Sequence, residues 1–386
     1  MIELVATEGY ETVTVRRLIK LAGVSTGAFY SQFDGVDECF LATYQLLMER
    51  TEGNVAASRT PQCAQKDQAA RSVRALIVGL LADPDAARLV LMDVFAGGPA
   101  ALKSVRMHEA RLEAALRGSL DRRGGRVSTA TVCWIANGVL RFVRSDLAST
   151  VSHPKIDAID RIVNWGQALV DQKAPDLTGG SSEVEFPPAS PTVAVDDEDL
   201  VQGQETELIL TAVMKLAAAE GFWRLSPARV SKAAGVPKTH FNLYFEGIEN
   251  AFLAGIRRMA RRLFGVTDAT KPSDVFWKQT ACRKILDVSR KAAADPMSAR
   301  LTLSGILEPG VRGLTCREAL ISEIANAWLD AVPADQRPDP VAAEMATASL
   351  WAALARSVDL CEPERLLGTG PTFAYLFTNS IAGSTR

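Results

Sequence analysis

The side chains that could perform catalysis are few and scattered in this chain of 386 residues. None of the three histidines, His108, His153 and His240, has the HExxH spacing of a zinc site or a cysteine at ligand spacing. His108 precedes Glu109, but adjacent residues on a helix do not face each other, so we expect His108 on a solvated helix face. Nucleophile-elbow, Walker and dinucleotide-binding patterns do not occur. The sequence therefore predicts no enzyme, no catalytic or metal site and no cofactor.

Polar side chains of another kind are grouped near the N-terminus, where the sequence predicts two short helices joined by a turn. Thr14 is a candidate N-cap for a helix with apolar residues at helical spacing, and Gly23 suits the left-handed turn after it. Ser25 can cap a second helix over 26–32 that faces inward with Phe29 and Phe33. Its outward residues, Thr26, Gly27, Ala28, Tyr30 and Gln32, could enter a major groove and reach base edges.

The same layout occurs a second time. Ser226 can cap a helix that begins with Pro227, Gly235 makes the turn, and Pro237 opens the next helix. Phe241 and Phe245 face inward in that helix, and the outward residues are Lys238, Thr239, His240, Asn242 and Tyr244. Residues 4–41 and 216–253 are identical at 14 of 38 positions without a gap, at a constant offset of 212. The repeat predicts an internal duplication.

Composition and charge place the two copies in a chain of ordinary globular character. Hydrophobic residues make up 47% and charged residues 23%, no 18-residue apolar stretch occurs, and six separated cysteines favour free buried thiols in a reducing cytosol. The net charge is −2, but 171–204 hold eight acids and one base, and the remainder has 42 basic and 37 acidic residues. The Pro-, Gly-, Ser- and acid-rich segment 173–203 is therefore predicted to be a disordered linker.

The segment EGYETVTVRRLIKLAGVSTGAFYSQF with the following GVDECFL resembles the DNA-binding domain of the TetR family of bacterial transcriptional regulators. EGFWRLSPARVSKAAGVPKTHFNLYF with GIENAFL resembles it again. The resemblance implies an all-α fold with two units, each a helix-turn-helix domain followed by a helical ligand-binding and dimerisation domain. The expected domains are 1–46 and 47–172, the linker 173–203, then 204–258 and 259–386. Residue 1 corresponds to 213, so we expect the first helix of the first unit to lack about two turns, because a turn takes about 3.6 residues.

The resemblance also implies which residues contact DNA. These are Thr14, Arg16, Arg17, Ser25, Thr26, Gly27, Ala28, Tyr30 and Gln32 in the first unit, and Ser226, Arg229, Lys238, Thr239, His240, Asn242 and Tyr244 in the second. The sequence departs from the family at Gln32 and Asn242, where aromatic residues are common, and at Val36 and Ile248, where the family usually has a phosphate-binding lysine. The missing lysines weaken the sequence-independent phosphate contribution. Residues 1–38 carry −3 and 213–250 carry +2, which favours the second unit for affinity, while the first lies closer to the motif.

Amphipathic helices are predicted after each motif. They span about 35–57, 67–82, 84–95, 99–123, 128–148 and 155–171 in the first unit, and about 247–265, 273–293, 296–307, 311–331, 339–357 and 363–378 in the second. By resemblance the last two of each set form a dimer bundle, here an intramolecular pseudo-dimer with further homodimerisation left open. The pocket candidates, for which core packing is the alternative interpretation, are Met92, Phe95, Met107, Trp134, Phe142, Phe276, Trp277, Leu301, Trp328 and Trp351.

The sequence thus predicts a cytoplasmic, nucleoid-associated repressor that binds double-stranded DNA and is released by a small apolar effector. Because the two recognition helices differ, we expect an operator with two dissimilar half-sites. The alternative is a degenerate TetR-like module that senses a ligand or binds a protein and has weak or no DNA binding of its own. In that case the acidic linker could mimic DNA or shield the basic faces.

Overall fold

The computed structural model describes residues 1–59, 65–121, 127–148, 156–171, 204–266, 277–330, 332–333, 337–360 and 363–382. Over these residues the chain is helical and has no β-strand. The predicted linker 173–203 lies outside the described residues, as do His153, Cys63, Cys361 and Phe276. None of the helices in the described part is both long and apolar enough to cross a membrane.

Within the described residues, nine helices precede the predicted linker. They are α1 (Ile2–Glu8), α2 (Val15–Ala22), α3 (Thr26–Tyr30), α4 (Val36–Ala57), α5 (Gln65–Leu81), α6 (Pro84–Leu91), α7 (Gly98–Leu120), α8 (Thr129–Ala148) and α9 (Ile156–Asp171). Nine more follow it within the described residues. They are α10 (Gln204–Glu220), α11 (Pro227–Ala234), α12 (Lys238–Tyr244), α13 (Ile248–Phe264), α14 (Trp277–Ala294), α15 (Pro296–Leu303), α16 (Val311–Asp330), α17 (Pro340–Asp359) and α18 (Pro363–Ala382). We call α1–α9 the first half and α10–α18 the second half.

Local sequence explains most helix ends. Asp83 accepts a hydrogen bond from the amide of Ala86 at 3.0 Å at the start of α6, and Asp295 accepts one from Ser298 at 3.1 Å at the start of α15. A proline follows each aspartate at the first helical position, where it loses no helical hydrogen bond. Several predicted ranges were too long, including 296–307, since α15 ends at Leu303 before a 3-10 turn. Helix α6 ends at Leu91 before a 3-10 turn, and α3 ends at Tyr30 because the amide of Gln32 bonds back to the carbonyl of Phe29 in a tightened last turn.

The core of the first half contains His108, which the sequence analysis expected on a solvated helix face. His108 on α7 is fully buried, and its Nδ1 lies 2.7 Å from a carboxylate oxygen of Glu52 on α4. Its ring also packs edge-on against Tyr44, with ring centroids 5.4 Å apart. The expectation of a solvated helix face was therefore wrong, because α4 and α7 pack together along the side of α7 that carries His108.

The two halves pack against each other through their last helices. Helix α8 lies along α17, and α18 contacts both α8 and α9. Gly138 on α8 is tightly packed, since a Cβ there would lie 2.5 Å from the Trp165 ring of α9 in the same half and 3.2 Å from the Ser349 hydroxyl in the other half. The interface also contains charged side chains. Arg141 on α8 donates hydrogen bonds to Glu318 at 2.7 Å, to Ser322 at 2.8 Å and to Glu344 at 2.5 Å. A nearly buried arginine is thus held by three acceptors of the other half.

Candidate nucleic-acid interface and cavities

The turn between α2 and α3 is built by two local devices. Gly23 ends α2 with φ of 66°, a left-handed conformation that a residue without a side chain adopts at little cost. Ser25 then accepts a hydrogen bond from the amide of Ala28 at 3.1 Å and so caps α3 as predicted. Thr14 occupies the N-cap position of α2, but its side chain makes no capping hydrogen bond.

Helix α3 is anchored on one side only. Phe29 is buried and packs against Phe33 with ring centroids 5.5 Å apart. The predicted outward residues are exposed, namely Thr26, Gly27, Ala28, Tyr30 and Gln32, and so are Thr14, Arg16 and Ser25. A short helix held by one aromatic face and presenting small and polar side chains on the other has the form needed to enter a major groove.

The second helix-turn-helix has the same local construction. Gly235 ends α11 with φ of 71°, and Ser226 accepts a hydrogen bond from the amide of Arg229 at 3.4 Å. Phe241 of α12 is fully buried on the inner face of that helix. Lys238, Thr239, Asn242 and Tyr244 are exposed, and His240 is half-buried.

Three glutamates lie against residues that the sequence assigns to DNA contact. Glu8 pairs with Arg17, and Glu220 pairs with Arg229 at 2.6 Å. Glu205 near the start of α10 lies 3.0 Å from Nδ1 of His240 and accepts a hydrogen bond from the hydroxyl of Tyr244 at 3.3 Å. The hydrogen bond from Arg229 lowers the pKa of Glu220, which therefore stays ionised near neutral pH. DNA phosphates would have to compete with these carboxylates for the same donors.

The residue after the turn glycine is exposed to different degrees in the two motifs. Val236 in the second turn is only 8% exposed, whereas its counterpart Val24 is 45% exposed. Helix α10 contacts both α11 and α12.

One exposed residue of α12 was not among the DNA contacts predicted from the sequence. Leu243 is 76% exposed on α12, next to the predicted contacts Asn242 and Tyr244. An apolar side chain presented to solvent on a recognition helix can contact the methyl group of thymine. Its counterpart in the first unit is Ser31, so the two helices differ in this property too.

A known protein family matches the segment that contains the first helix-turn-helix. Residues 2–43 match the family model described as bacterial regulatory proteins, tetR family. Over residues 2–43 the chain is therefore similar to proteins of that family. Among solved structures, the fatty acid degradation regulator FadR from Bacillus halodurans is similar to this chain at 17% identity, over 46% of this chain and 95% of that one, with a TM-score of 0.35. No curated protein matches the chain significantly.

Cavities of very different size lie among the helices that follow the two helix-turn-helix segments. A cavity of about 30 Å³ in the second half is lined by apolar residues, including Trp277 and Trp328, and by Lys284. A cavity of about 20 Å³ in the first half is lined by Tyr44 and Phe95 among others. A third cavity of about 300 Å³ lies between the halves, with walls from α7, α8, α16 and α17. Only this third space approaches the size of a ligand pocket of about 300–1,000 Å³.

The sequence-predicted pocket residues are dispersed among these places. Phe95, Trp277 and Trp328 line the two small cavities, and Trp351 lines the large one. Trp134, Phe142 and Leu301 are buried in the core outside these three cavities, and Met92 is partly buried against it. Met107 is 46% exposed and lies outside all three, because α7 turns its other face to α4. The pocket candidates that the structure describes therefore do not line one common cavity, and their role in ligand binding stays a prediction.

The large cavity has charged walls that the sequence did not predict. Its lining includes Arg106, Glu109, Glu113, Arg144, Arg317, Arg356 and Asp359. Burial raises the pKa of Glu109, against the opposing effect of Arg317 and Arg144. Burial also lowers the pKa of Arg144 to about 10, so this guanidinium remains charged at neutral pH. Burial and the neighbouring Glu113 raise the pKa of Cys133 to about 12, and its thiol therefore stays protonated.

Proposed function

We propose that this chain is a DNA-binding transcriptional regulator that acts as a repressor. The observation that carries the proposal is the TetR-type domain at residues 2–43, whose recognition helix α3 is anchored by Phe29 and exposes Thr26 and Tyr30. Phosphate contacts would come from Arg16 and Arg17 on the preceding helix, and Thr14 stands beside them at the start of α2.

We further propose that the second half is a second TetR-like unit and that the two units pair within one chain. The repeat at offset 212 and the matching positions of the two left-handed glycines, Gly23 and Gly235, support this proposal. The packing of α8 along α17 supports it too, since these helices correspond to each other in the two units. A pseudo-dimer of this kind would behave as a monomer in light scattering at low concentration, and a mass of two chains would contradict it.

The two recognition helices differ in every residue that faces outward. Helix α3 presents Thr26, Gly27 and Tyr30, whereas α12 presents Lys238, Thr239 and Leu243 at its own exposed positions. The operator should accordingly consist of two dissimilar half-sites about one helical turn apart or slightly more. Selection from a random-sequence pool tests this, and recovery of a perfect palindrome would contradict it.

The decisive experiment is binding of the full chain to the intergenic DNA upstream of its own gene, with competitor DNA present and salt varied. Thr26→Ala and Lys238→Ala should each weaken specific binding, and the pair identifies which unit reads bases. Lys278→Ala, an exposed-lysine change on α14, is the control for Lys238→Ala because it removes the same charge far from α12. Each lost phosphate contact should also reduce the slope of log affinity against log salt by about 1.

A second candidate function is favoured by one observation. The glutamates Glu8, Glu205 and Glu220 already hold predicted DNA donors, which fits a module that binds a protein or ligand and no longer grips DNA. Absence of salt-sensitive binding to the intergenic fragment and to a random pool, with the protein folded, would favour this function over repression.

A further inference from the structure

The cavity between the halves is the feature that the regulator proposal leaves unexplained. It encloses about 300 Å³, roughly tenfold more than the cavities inside either half. Apolar residues share its lining with the charged ones and include Leu102, Ile321, Leu307 and Trp351. A space of this size that is lined by both apolar and charged side chains suits a small amphipathic molecule.

The charges around the cavity are incompletely paired. Glu113 pairs with Arg356, and Asp359 lies 3.8 Å from Arg106. The remaining arginines, Arg141, Arg144 and Arg317, share Glu318, and Arg141 also contacts Glu344. Within the part of the chain that the structure describes, the Glu109 carboxyl group has neither an ion pair nor a hydrogen bond.

Arg144 is the least satisfied of these arginines. Its side chain is only 9% exposed. Its Nε lies 3.2 Å from Glu318 but is not aligned for a hydrogen bond. Arg141, Arg144 and Arg317 have only two ion-paired carboxylates between them, Glu318 and Glu344. Three guanidinium groups are therefore not matched one to one by carboxylates, and Arg144 and Arg317 line the cavity.

We propose that this cavity binds one small organic anion per chain, with the carboxylate held by Arg144 and Arg317 and the apolar body against Trp351 and Ile321. A carboxylate matches the fork of a guanidinium and forms charge-assisted hydrogen bonds with it. The site is shared, because Arg144 comes from the first half and Arg317 and Trp351 come from the second.

Both walls of the cavity are tied to the helices that follow the two recognition helices. Val105, Glu109 and Arg144 also line the small cavity that contains Tyr44 and Met48 of α4. On the other side, α16 holds α13 through Arg312 and Glu249 at 2.9 Å and through Glu323 and Arg261 at 2.6 Å. An anion bound between the halves would therefore bias the positions of α4 and α13 together. This regulatory consequence, unlike the binding itself, rests on the proposed function.

The test uses three matched probes and calorimetric titration of the full chain. They are 4-phenylbutyrate, its uncharged amide and 4-phenylbutylamine, which share one apolar body and differ in charge. The expected result is one 4-phenylbutyrate per chain, with the amide and the amine each weaker by about tenfold or more. Stronger binding of the amide or the amine, two sites per chain, or no binding of 4-phenylbutyrate would overturn the proposal.

Variants locate the site. Arg144→Met should abolish the preference for the carboxylate over the amide, and Ala352→Phe should block all binding by filling the cavity without removing a charge. Arg74→Met is the control, since Arg74 is an exposed arginine paired with Asp160 away from the cavity. Unchanged binding in a folded Ala352→Phe protein would overturn the proposal. If the anion binds as expected but leaves DNA affinity unchanged, the binding site stands and its coupling to DNA fails; if the chain binds the anion but no DNA at all, the proposed function fails alone.

Discussion

The hydroxyl of Ser349 on α17 donates a hydrogen bond to the main-chain carbonyl of Trp134 on α8 at 2.7 Å, across the boundary between the halves. The same hydroxyl lies 2.8 Å from the carbonyl of Met345 on its own helix. Such close contact of a side chain with the backbone of a neighbouring helix requires that the helices approach tightly. Gly138, one turn after Trp134, allows this approach because it has no side chain.

Substitution of Gly138 should accordingly disturb the packing of α8 against Trp165 and Ser349 and destabilise the fold. The Cβ of Gly138→Ala would lie 2.5 Å from Trp165, so α8 or Trp165 must shift, at a cost of about 1–3 kcal/mol. Gly118→Ala is the matched control, since its Cβ meets nothing within 4 Å and the alanine should stabilise α7 by up to about 1 kcal/mol. Urea denaturation measures both, and a Gly138→Ala protein as stable as the wild type would contradict the close approach.

Removal of Glu205 should strengthen DNA binding. In the free protein its carboxylate occupies His240 and Tyr244, so Glu205→Ala releases both for phosphates or bases and removes a repelling negative charge. We expect a several-fold gain in affinity, about 1 kcal/mol, that diminishes as salt screens the charge. The gain should appear in an equilibrium binding assay at low salt.

Glu207→Ala is the control for that change, because Glu207 lies on the same helix but pairs with Arg258 of α13. A loss of affinity in Glu205→Ala would instead mean that Glu205 orients His240 for DNA.

We expect the side chain of Leu243 to contact a thymine methyl group in the operator. Its exposed side chain would bury a thymine methyl group in the second half-site, and Leu243→Ala should weaken binding by about 1 kcal/mol. Replacing the contacted thymine with deoxyuridine removes the same methyl group, so the DNA change should have no further effect on the Leu243→Ala protein. Leu46→Ala removes an equally apolar, exposed side chain on α4. It should alter the affinity neither for the thymine-containing DNA nor for the deoxyuridine-containing DNA. Additive effects of the protein and DNA changes would contradict the contact.

Acid should weaken the pairing of the halves through Glu318. Desolvation alone would raise the pKa of Glu318, but Arg144, Arg317 and Arg141 together lower it from 4.5 to about 2. A depressed pKa contributes stability that is fully present above pH 4.5 and is lost as the pH falls towards 2. The contribution is on the order of 3 kcal/mol.

Glu318→Gln tests this pH dependence. The variant should be less stable at neutral pH by about 3–5 kcal/mol, because three arginines lose their shared carboxylate. The gap between the two proteins in urea denaturation should close as the pH falls from 5 to about 2. Glu49→Gln, an exposed change beside Arg111, should leave the profile unchanged. A gap that stays constant with pH would show that Glu318 does not titrate in this range.

Local features of the fold could be predicted from the sequence. The caps at Ser25 and Ser226 and the left-handed turns at Gly23 and Gly235 lie where the sequence placed them, because each depends on residues within four positions. The buried faces of α3 and α12 follow in the same way, since Phe29 and Phe241 are set by helical period. The exposed residues on the opposite faces of α3 and α12 could therefore be predicted from the sequence as well.

Tertiary structure alone decided how distant residues meet. Glu205 faces His240, Glu52 faces His108 and Glu318 faces Arg141, at separations in the chain that no local rule covers. The large cavity was not predicted for the same reason, since its walls come from both halves and exist only where α7 and α8 meet α16 and α17. The sequence by itself determined the helices, their caps and the recognition surfaces, because hydrogen bonds and side-chain periods within one helix fix them. The pairing of charges and the site between the halves depend on packing across the interface, which is set by the shapes of whole helices.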